Sequence, residues 1–551
     1  MYSIKNSFKI LLALVLVVSA SCHDLEELNI NPNGVDPQKA DPNLLMATII
    51  TGMGLNVVDL GFGDIAGVMQ HTQKDGWAGG HNRYDWGDNS KSWRTYYNIL
   101  RNIDELHKKA LDRDLEFHQG VAKVMEAYTF GLIADLYGDA PYSQALKGEK
   151  GSDYFSPVFD SQRDIYLGIL AELETANTLL SKGQSAYKGI NTTQDVLFRG
   201  NAAKWRKFAN SLALRYYLRI SEKEPSIAEQ GISNIYNSPS DYPLIISYND
   251  DANMGFIGSS PANAWPTNTV FDIDPRGQYM RKKLCATLVE ALQALNDPRL
   301  GVWANKIEIP LVLDTDPANA DRDEIVGGKR YIGQNIVDRY MADVGAPLNY
   351  DLEYVGLPPA EPGASIYNLN PNLDQGTYNP HVSMLNNIYK DVAGPLLLSR
   401  MMSASEVHFI LSEAAMKGWI SGDAETHYNE GIKQSLNAWN VGNQYENYIA
   451  GAPFGGLEEL IEQKWIASWS AAAEAWFDYR RTGLPVLETG PAAIRQAIPL
   501  RFYYHFNDEI TLNPNAQTAI NNLQTTDFTA PDSENSAWSK FWLLQGTGKP
   551  W

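Results

Sequence analysis

SASEVHFILSEAAMKGWISGDAETHYNEGIKQSLNAW, residues 403–439, holds two helical patterns back to back. Ser403 with Glu406 three residues later is a capping-box start, and Val407, Ile410, Leu411, Ala414 and Ala415 follow at three-four spacing. After the turn Gly418 to Asp423, a second pattern carries Ala424, Tyr428, Gly431, Ser435 and Trp439. The pair has about the length of a 34-residue tetratricopeptide unit, and Ala424, Tyr428 and Gly431 keep that motif's small-aromatic-small spacing. Elsewhere no clean repeat stands out, so pattern alone supports one such unit.

Outward from this pair, the same period recurs. Leu44 to about Asp59 reads as a first helix, and Trp93 to Leu106, Val121 to Leu132, Ile165 to Leu180, Trp205 to Tyr216 and Ile227 to Tyr236 as five more. Ser161 with Asp164 caps the third of these five. On the C-terminal side, Leu460, Ile461, Trp465, Trp469, Ala472 and Trp476 predict one long helix from Leu457 to about Arg480. Between the two helical halves, residues of about 237–400 change character: six Pro and four Gly fall between Asp343 and Val382, a density that predicts loops. The fold class is therefore predominantly α, with tetratricopeptide-like helix pairs and a loop-rich irregular insertion.

The chain begins with a separate signal. Lys5 and Lys9 precede an unbroken apolar run, Ile10 to Val18, and Ser19-Ala20-Ser21 place small side chains before Cys22. This is a secretory layout, too short to span a bilayer stably. A thiol directly after the small residues is where an acylated, lipid-anchored protein is cut, so Cys22 is expected to carry the lipid. The expected division is 1–21 signal, 22–43 anchor and Asn/Pro-rich spacer, and 44–551 body. No later apolar run is expected to reach membrane length. Losing the two lysines and no acid takes the formal charge from −20 to −22, which argues against nucleic acid, whose binding needs cations to neutralise phosphates. With Cys22 in the anchor, Cys285 has no partner for an internal disulfide.

Sugar binding needs flat apolar faces for C–H groups and planar polar groups for hydroxyls. The glycine-rich stretch QHTQKDGWAGGHNRYDWGDNS, residues 70–90, mixes these without helical period. Trp77, Asn82, Arg83, Tyr84, Trp86 and Asp88 are its candidate ligand-binding residues, and Trp265, Tyr279 and Trp303 are further candidates in the insertion. Trp77 and Trp86 are expected to leave their faces partly open to solvent, whereas Trp205, Trp465 and Trp476 lie on apolar stripes and are read as core. No pair of carboxylates is singled out for glycoside hydrolysis, and no nucleophile triad, phosphate loop or zinc motif occurs. Catalytic and metal-ligating residues are expected to be none. Asp314 to Glu324 lacks the spacing of a calcium loop and reads as a solvated acidic loop, so no cofactor is expected beyond the lipid. A protein-binding helical scaffold is the third class of reading, and it predicts no small ligand.

LNINPN (28–33), ADLYGDAPYSQAL (134–146), FDSQRDIYLGILAELETA (159–176), GNAAKWRKFANSLALRYYLRIS (200–221), DPRL (297–300), ASEVHFILSEAAMKGW (404–419), EQKWIASW (462–469), EAWFDYRRTGLP (474–485) and IPLRFYYHFNDE (498–509) occur in this order. Together they resemble the SusD/RagB family of nutrient-binding outer-membrane lipoproteins, especially its SusD-like branch. The resemblance implies a body of tetratricopeptide-like helices anchored on the outer membrane and facing the cell exterior. It also implies a lid on a SusC-like TonB-dependent transporter that receives captured oligosaccharides or, in RagB-type members, peptides.

Overall fold

The computed structural model describes residues 40–549 and residue 551. The signal, Cys22 and the first part of the spacer lie outside the described residues. Helix α1 (Pro42–Phe62) is opened by Asp41, whose side chain accepts from the Asn43 backbone, with Pro42 in the first turn where a missing N–H costs nothing. Strand β1 (Thr72–Lys74) follows, and then helices α2 (Arg94–Asp112), α3 (Glu116–Tyr137), α4 (Gln162–Leu179), α5 (Ala202–Arg219) and α6 (Pro225–Asn237). Each packs against the helix before it. Ser161 caps α4 as its spacing predicts, its hydroxyl accepting from the Asp164 backbone at 3.1 Å. Helix α3 is buried on nearly every side, whereas α2 buries one stripe through Tyr96, Ile99, Leu100, Ile103 and Leu106, as expected for central and flanking helices.

The insertion is short strands and long connections. Strand β2 (Ala252–Gly255) precedes β3 (Lys282–Leu284), which pairs antiparallel with β1, matching Thr72 to Leu284 and Lys74 to Lys282. Helix α7 (Ala286–Ala294) leads to β4 (Leu311–Asp314), β5 (Asp323–Val326) and β6 (Lys329–Gly333), a three-stranded sheet in the order β4-β6-β5. Within its acidic loop, Asp314 is paired with Arg322 at 2.7 Å. Helix α8 (Gln334–Val344) ends at Gly345, and no α-helix follows among the described residues until β7 (Leu398–Met402) has paired with β2. Cys285 is buried and free.

Helices α9 (Ala404–Met416) and α10 (Ala424–Ala438) form the pair read from residues 403–439, with Ser403 accepting from the Glu406 backbone at 3.1 Å. Gly431 sits where a Cβ would come within 2.7 Å of the Phe409 ring, so the small residue lets the two helices close. The predicted last helix is two: α11 (Leu457–Ala467) and α12 (Ala472–Thr482). The apolar period runs through the break, but Ser470 takes a left-handed φ of 65°, and Trp469 leaves the helix line to stack on Trp303 at 5.0 Å. Helix α1 departs from the expectation that no later apolar run reaches membrane length. Pro42–Val68 is long and apolar enough by composition to cross a membrane, with half of its apolar window buried, and α1 packs on α2, α3, β7 and α12.

A buried ionic network ties α3, α5, α9, α11 and α12 together. Arg215 forks onto Glu406 at 2.7 and 2.6 Å, Arg219 reaches Glu474 and Asp135, and Arg481 forks onto Glu413 at 2.6 Å through each nitrogen. Asp478 takes Lys464 at 2.7 Å and Arg481 at 3.2 Å. Burial alone would raise the Asp478 carboxyl, but Lys464, Arg481 and Arg219 outweigh it and hold it at about 2. A carboxyl depressed in the fold stabilises above its unfolded value of about 3.9 and loses that contribution as pH falls through its folded value. Melting curves between about pH 5 and about pH 2 should therefore show a steep loss of stability that is shallower in Asp478→Asn. Equal slopes in the two proteins would contradict this role.

Candidate functional site

The site starts from β1. Asn82 clamps the strand end with two bonds to Lys74, accepting from its N–H at 2.9 Å and donating to its carbonyl at 2.7 Å. Next along the chain, the Asp75 N–H donates to the Arg281 carbonyl at 3.1 Å, and its carboxylate takes the buried Lys283 ammonium at 2.6 Å. Burial pushes the Asp75 carboxyl up and the Lys283 ammonium down, while their attraction opposes both shifts. The chain beyond is thus fixed at its root before it turns outward.

Trp77 stands at the turn. Its backbone is left-handed, with φ 51°, a conformation bulky residues avoid and one that marks imposed geometry. The residue is 72% exposed. The Arg281 guanidinium lies 3.5 Å from the ring centroid and is itself nearly buried. One ring face is therefore covered by a cation and the remaining surface is open to solvent.

This ring borders a cleft of about 590 Å³. The cleft is lined by Lys74 to Gly79, Asn82, Arg83, Glu361, Pro362, Ser365, Gln375 and Pro491 to Ile494. Arg83 ties this loop to the 491–494 segment: its Nε donates to the Ala492 carbonyl at 3.1 Å and its own carbonyl accepts from Ile494 at 3.0 Å. A second cleft of about 730 Å³, between α7 and residues 344–367, shares Glu361, Pro362 and Pro491 with the first. An open indole face flanked by guanidinium, carboxylate, amide and hydroxyl groups can stack a ring and bind its polar edge. Of the two acids lining the Trp77 cleft, Asp75 is tied to Lys283, so the arrangement lacks a pair of free carboxylates facing each other across it.

Of the residues read from the sequence, Trp77, Asn82 and Arg83 come together here. The others do not. Tyr84 is fully buried and Trp86 is 4% exposed, which corrects the expectation of an open face at Trp86. Its indole N–H donates to the Gly80 carbonyl, and its ring meets Phe502 edge-on at 5.1 Å and Trp476 at 5.9 Å. Asp88 is exposed but outside the cleft, its carbonyl accepting from the Phe506 N–H. The insertion aromatics are core: Trp265 packs on Phe62, Trp303 on Trp439 and Trp469, and the Tyr279 hydroxyl donates to the Leu385 carbonyl at 2.6 Å. Trp205, Trp465 and Trp476 are buried as their stripes predict. Arg281, Glu361 and Gln375 were not legible as site residues. The dense Pro/Gly run between Asp343 and Val382 is the available signal, since it supplies Glu361, Pro362, Ser365 and Gln375 to the lining.

A family model described as starch-binding associating with outer membrane, of the SusD-like type, matches residues 35–334 and 359–505. No curated protein matches the chain. Among solved structures, a SusD homolog from Bacteroides fragilis NCTC 9343 is 22% identical with a TM-score of 0.68, over 92% of this chain and 99% of that one. A chitin-binding protein is 21% identical with a TM-score of 0.69, over 93% and 100%, and a SusD homolog from Bacteroides uniformis ATCC 8492 is 19% identical with a TM-score of 0.67, over 91% and 99%. These likenesses show the fold.

Proposed function

The chain belongs to the SusD-like family, described as starch-binding and associating with the outer membrane, and from that premise we infer that it captures oligosaccharides at the cell surface through the Trp77 cleft. The observation that carries this reading is the Trp77 ring itself, held outward on a left-handed backbone and backed by Arg281. Core packing does not account for an indole 72% exposed, and a sugar ring is a natural cover for such a face. That a structural relative is a chitin-binding protein agrees with a saccharide ligand. Affinity electrophoresis across a panel of polysaccharides tests it: at least one should retard the protein and lose that effect in Trp77→Ala. Retardation undiminished in Trp77→Ala, or binding confined to peptides, would overturn the reading.

Cys22 carries the lipid, and two acyl chains give the stable attachment one chain does not. Cys22→Ala should therefore move from the outer-membrane pellet to the soluble fraction. A variant that still pellets and resists salt would contradict the anchor. Captured ligand passes to a SusC-like TonB-dependent transporter, which should co-purify with the protein from detergent extracts at native expression, where recovery of free monomer alone would count against it.

A further inference from the structure

Helices α9 and α10 bring two histidines together, and neither lines the Trp77 cleft. His408 on α9 and His427 on α10 face each other with their Nδ1 atoms 3.3 Å apart. Their ring centroids are 5.6 Å apart, so the rings meet end to end. His408 is nearly buried, and its Nε2 lies 3.1 Å from the Ile246 carbonyl, a group that only accepts. The proton of neutral His408 therefore sits on Nε2, and its Nδ1 offers a lone pair toward His427. Burial lowers both imidazoles from their ordinary value, and His408 lowers His427 further, so both are chiefly neutral at neutral pH. His427 is half-buried, which leaves the pair within reach of solvent. Asp423 and Glu430 stand about one turn before and one turn after it. Glu430 acts on both rings and Asp423 on His427, each favouring positive charge there. Both carboxylates keep bonds of their own, Asp423 to the Thr426 N–H and Glu430 to the Gln434 amide.

We propose that His408 and His427 form a site for a divalent transition metal of the zinc class, which clamps α9 to α10. Two imidazole nitrogens on one tetrahedral zinc, each about 2.0–2.1 Å from it, stand about 3.3–3.4 Å apart. The two Nδ1 atoms already hold that spacing. The bond from His408 to the Ile246 carbonyl is the kind of outer-sphere contact that fixes the tautomer and orientation of a ligating imidazole. Without metal, one proton lies between the two Nδ1 atoms. Zinc takes its place: His427, the less buried ring, pivots toward the metal and carries its proton on Nε2 instead. Among the described residues no group of three His, Cys, Asp or Glu stands at metal-binding separations. The protein thus supplies two nitrogens, water completes the coordination, and Asp423 and Glu430 offset the charge. Imidazole nitrogen suits zinc, copper and nickel, whereas calcium and magnesium require oxygen ligands.

Zinc chloride is titrated calorimetrically into the full chain, purified without a histidine tag, and melting curves are recorded in zinc, in calcium and in a chelator. The wild type is expected to take up zinc and to melt higher in its presence, because the metal binds the folded helix pair better than the unfolded chain. His427→Gln should bind zinc at least about tenfold more weakly, since loss of even an outer-sphere partner costs about 10–100-fold. It should also lose the zinc-dependent rise in melting. His408→Gln, whose amide can still donate to the Ile246 carbonyl, should do the same. The rise is read against each protein's own melting in chelator, so a variant that is merely less stable is told apart from one that has lost the metal. Calcium should raise the melting of none of the three. No zinc uptake by the wild type, a zinc-dependent rise that survives in either variant, or an equal rise with calcium would each overturn the proposal.

Discussion

Trp86→Ala destabilises the fold by about 3–5 kcal/mol, the cost of emptying a core site of its largest side chain. The indole is the edge partner of both Trp476 and Phe502, and its N–H anchors the Gly80 carbonyl, so truncation leaves a cavity between the loop, α12 and the C-terminal segment. Trp476→Ala acts on the same cavity from the other side, with a similar cost. Because the two rings touch, their effects should not add, and the double variant should lose less than the sum of the singles. Chemical denaturation of the three variants measures this. Near-native stability in Trp86→Ala would show that its burial contributes nothing.

Arg481→Ala should cost about as much, by a different mechanism. Glu413 is almost fully buried and takes both guanidinium nitrogens of Arg481. With Arg481 gone, its next cation is Lys417 at 3.8 Å. Removing one member of a buried pair strands the other charge, at a cost of about 3–5 kcal/mol, whereas replacing both by apolar groups is often nearly neutral. Arg481→Met combined with Glu413→Leu is accordingly expected to recover most of the stability lost in Arg481→Ala. A double variant as unstable as the single would show that the pair contributes more than it costs to bury.

The helices were legible because each element announces itself locally. Ser161 and Ser403 sit before acids at the right spacing, and apolar stripes such as that of α2 repeat every three or four residues. The break between α11 and α12 was not legible, since Trp465, Trp469 and Trp476 keep the period through it. What bends the chain there is the long-range stack of Trp469 on Trp303. The site was half legible for the same reason. Trp77 and Trp86 share one glycine-rich loop, and nothing near either says which is covered. Trp86 is buried by Trp476 and Phe502 and Trp77 is backed by Arg281, all distant in sequence. Composition located the loop, and tertiary contacts alone sorted its aromatics.

The opposite placement of Trp77 and Trp86 is tested by a crossed measurement. Trp77→Ala and Trp86→Ala are each titrated with a polysaccharide the wild type binds, and each is melted without ligand. Trp77→Ala should bind at least about tenfold more weakly, a loss near 1.4 kcal/mol, with melting unchanged, because its exposed ring supports no core. Trp86→Ala should melt markedly lower. Trp77→Ala binding like the wild type while unfolding early would contradict the assignment of Trp77 to the ligand surface.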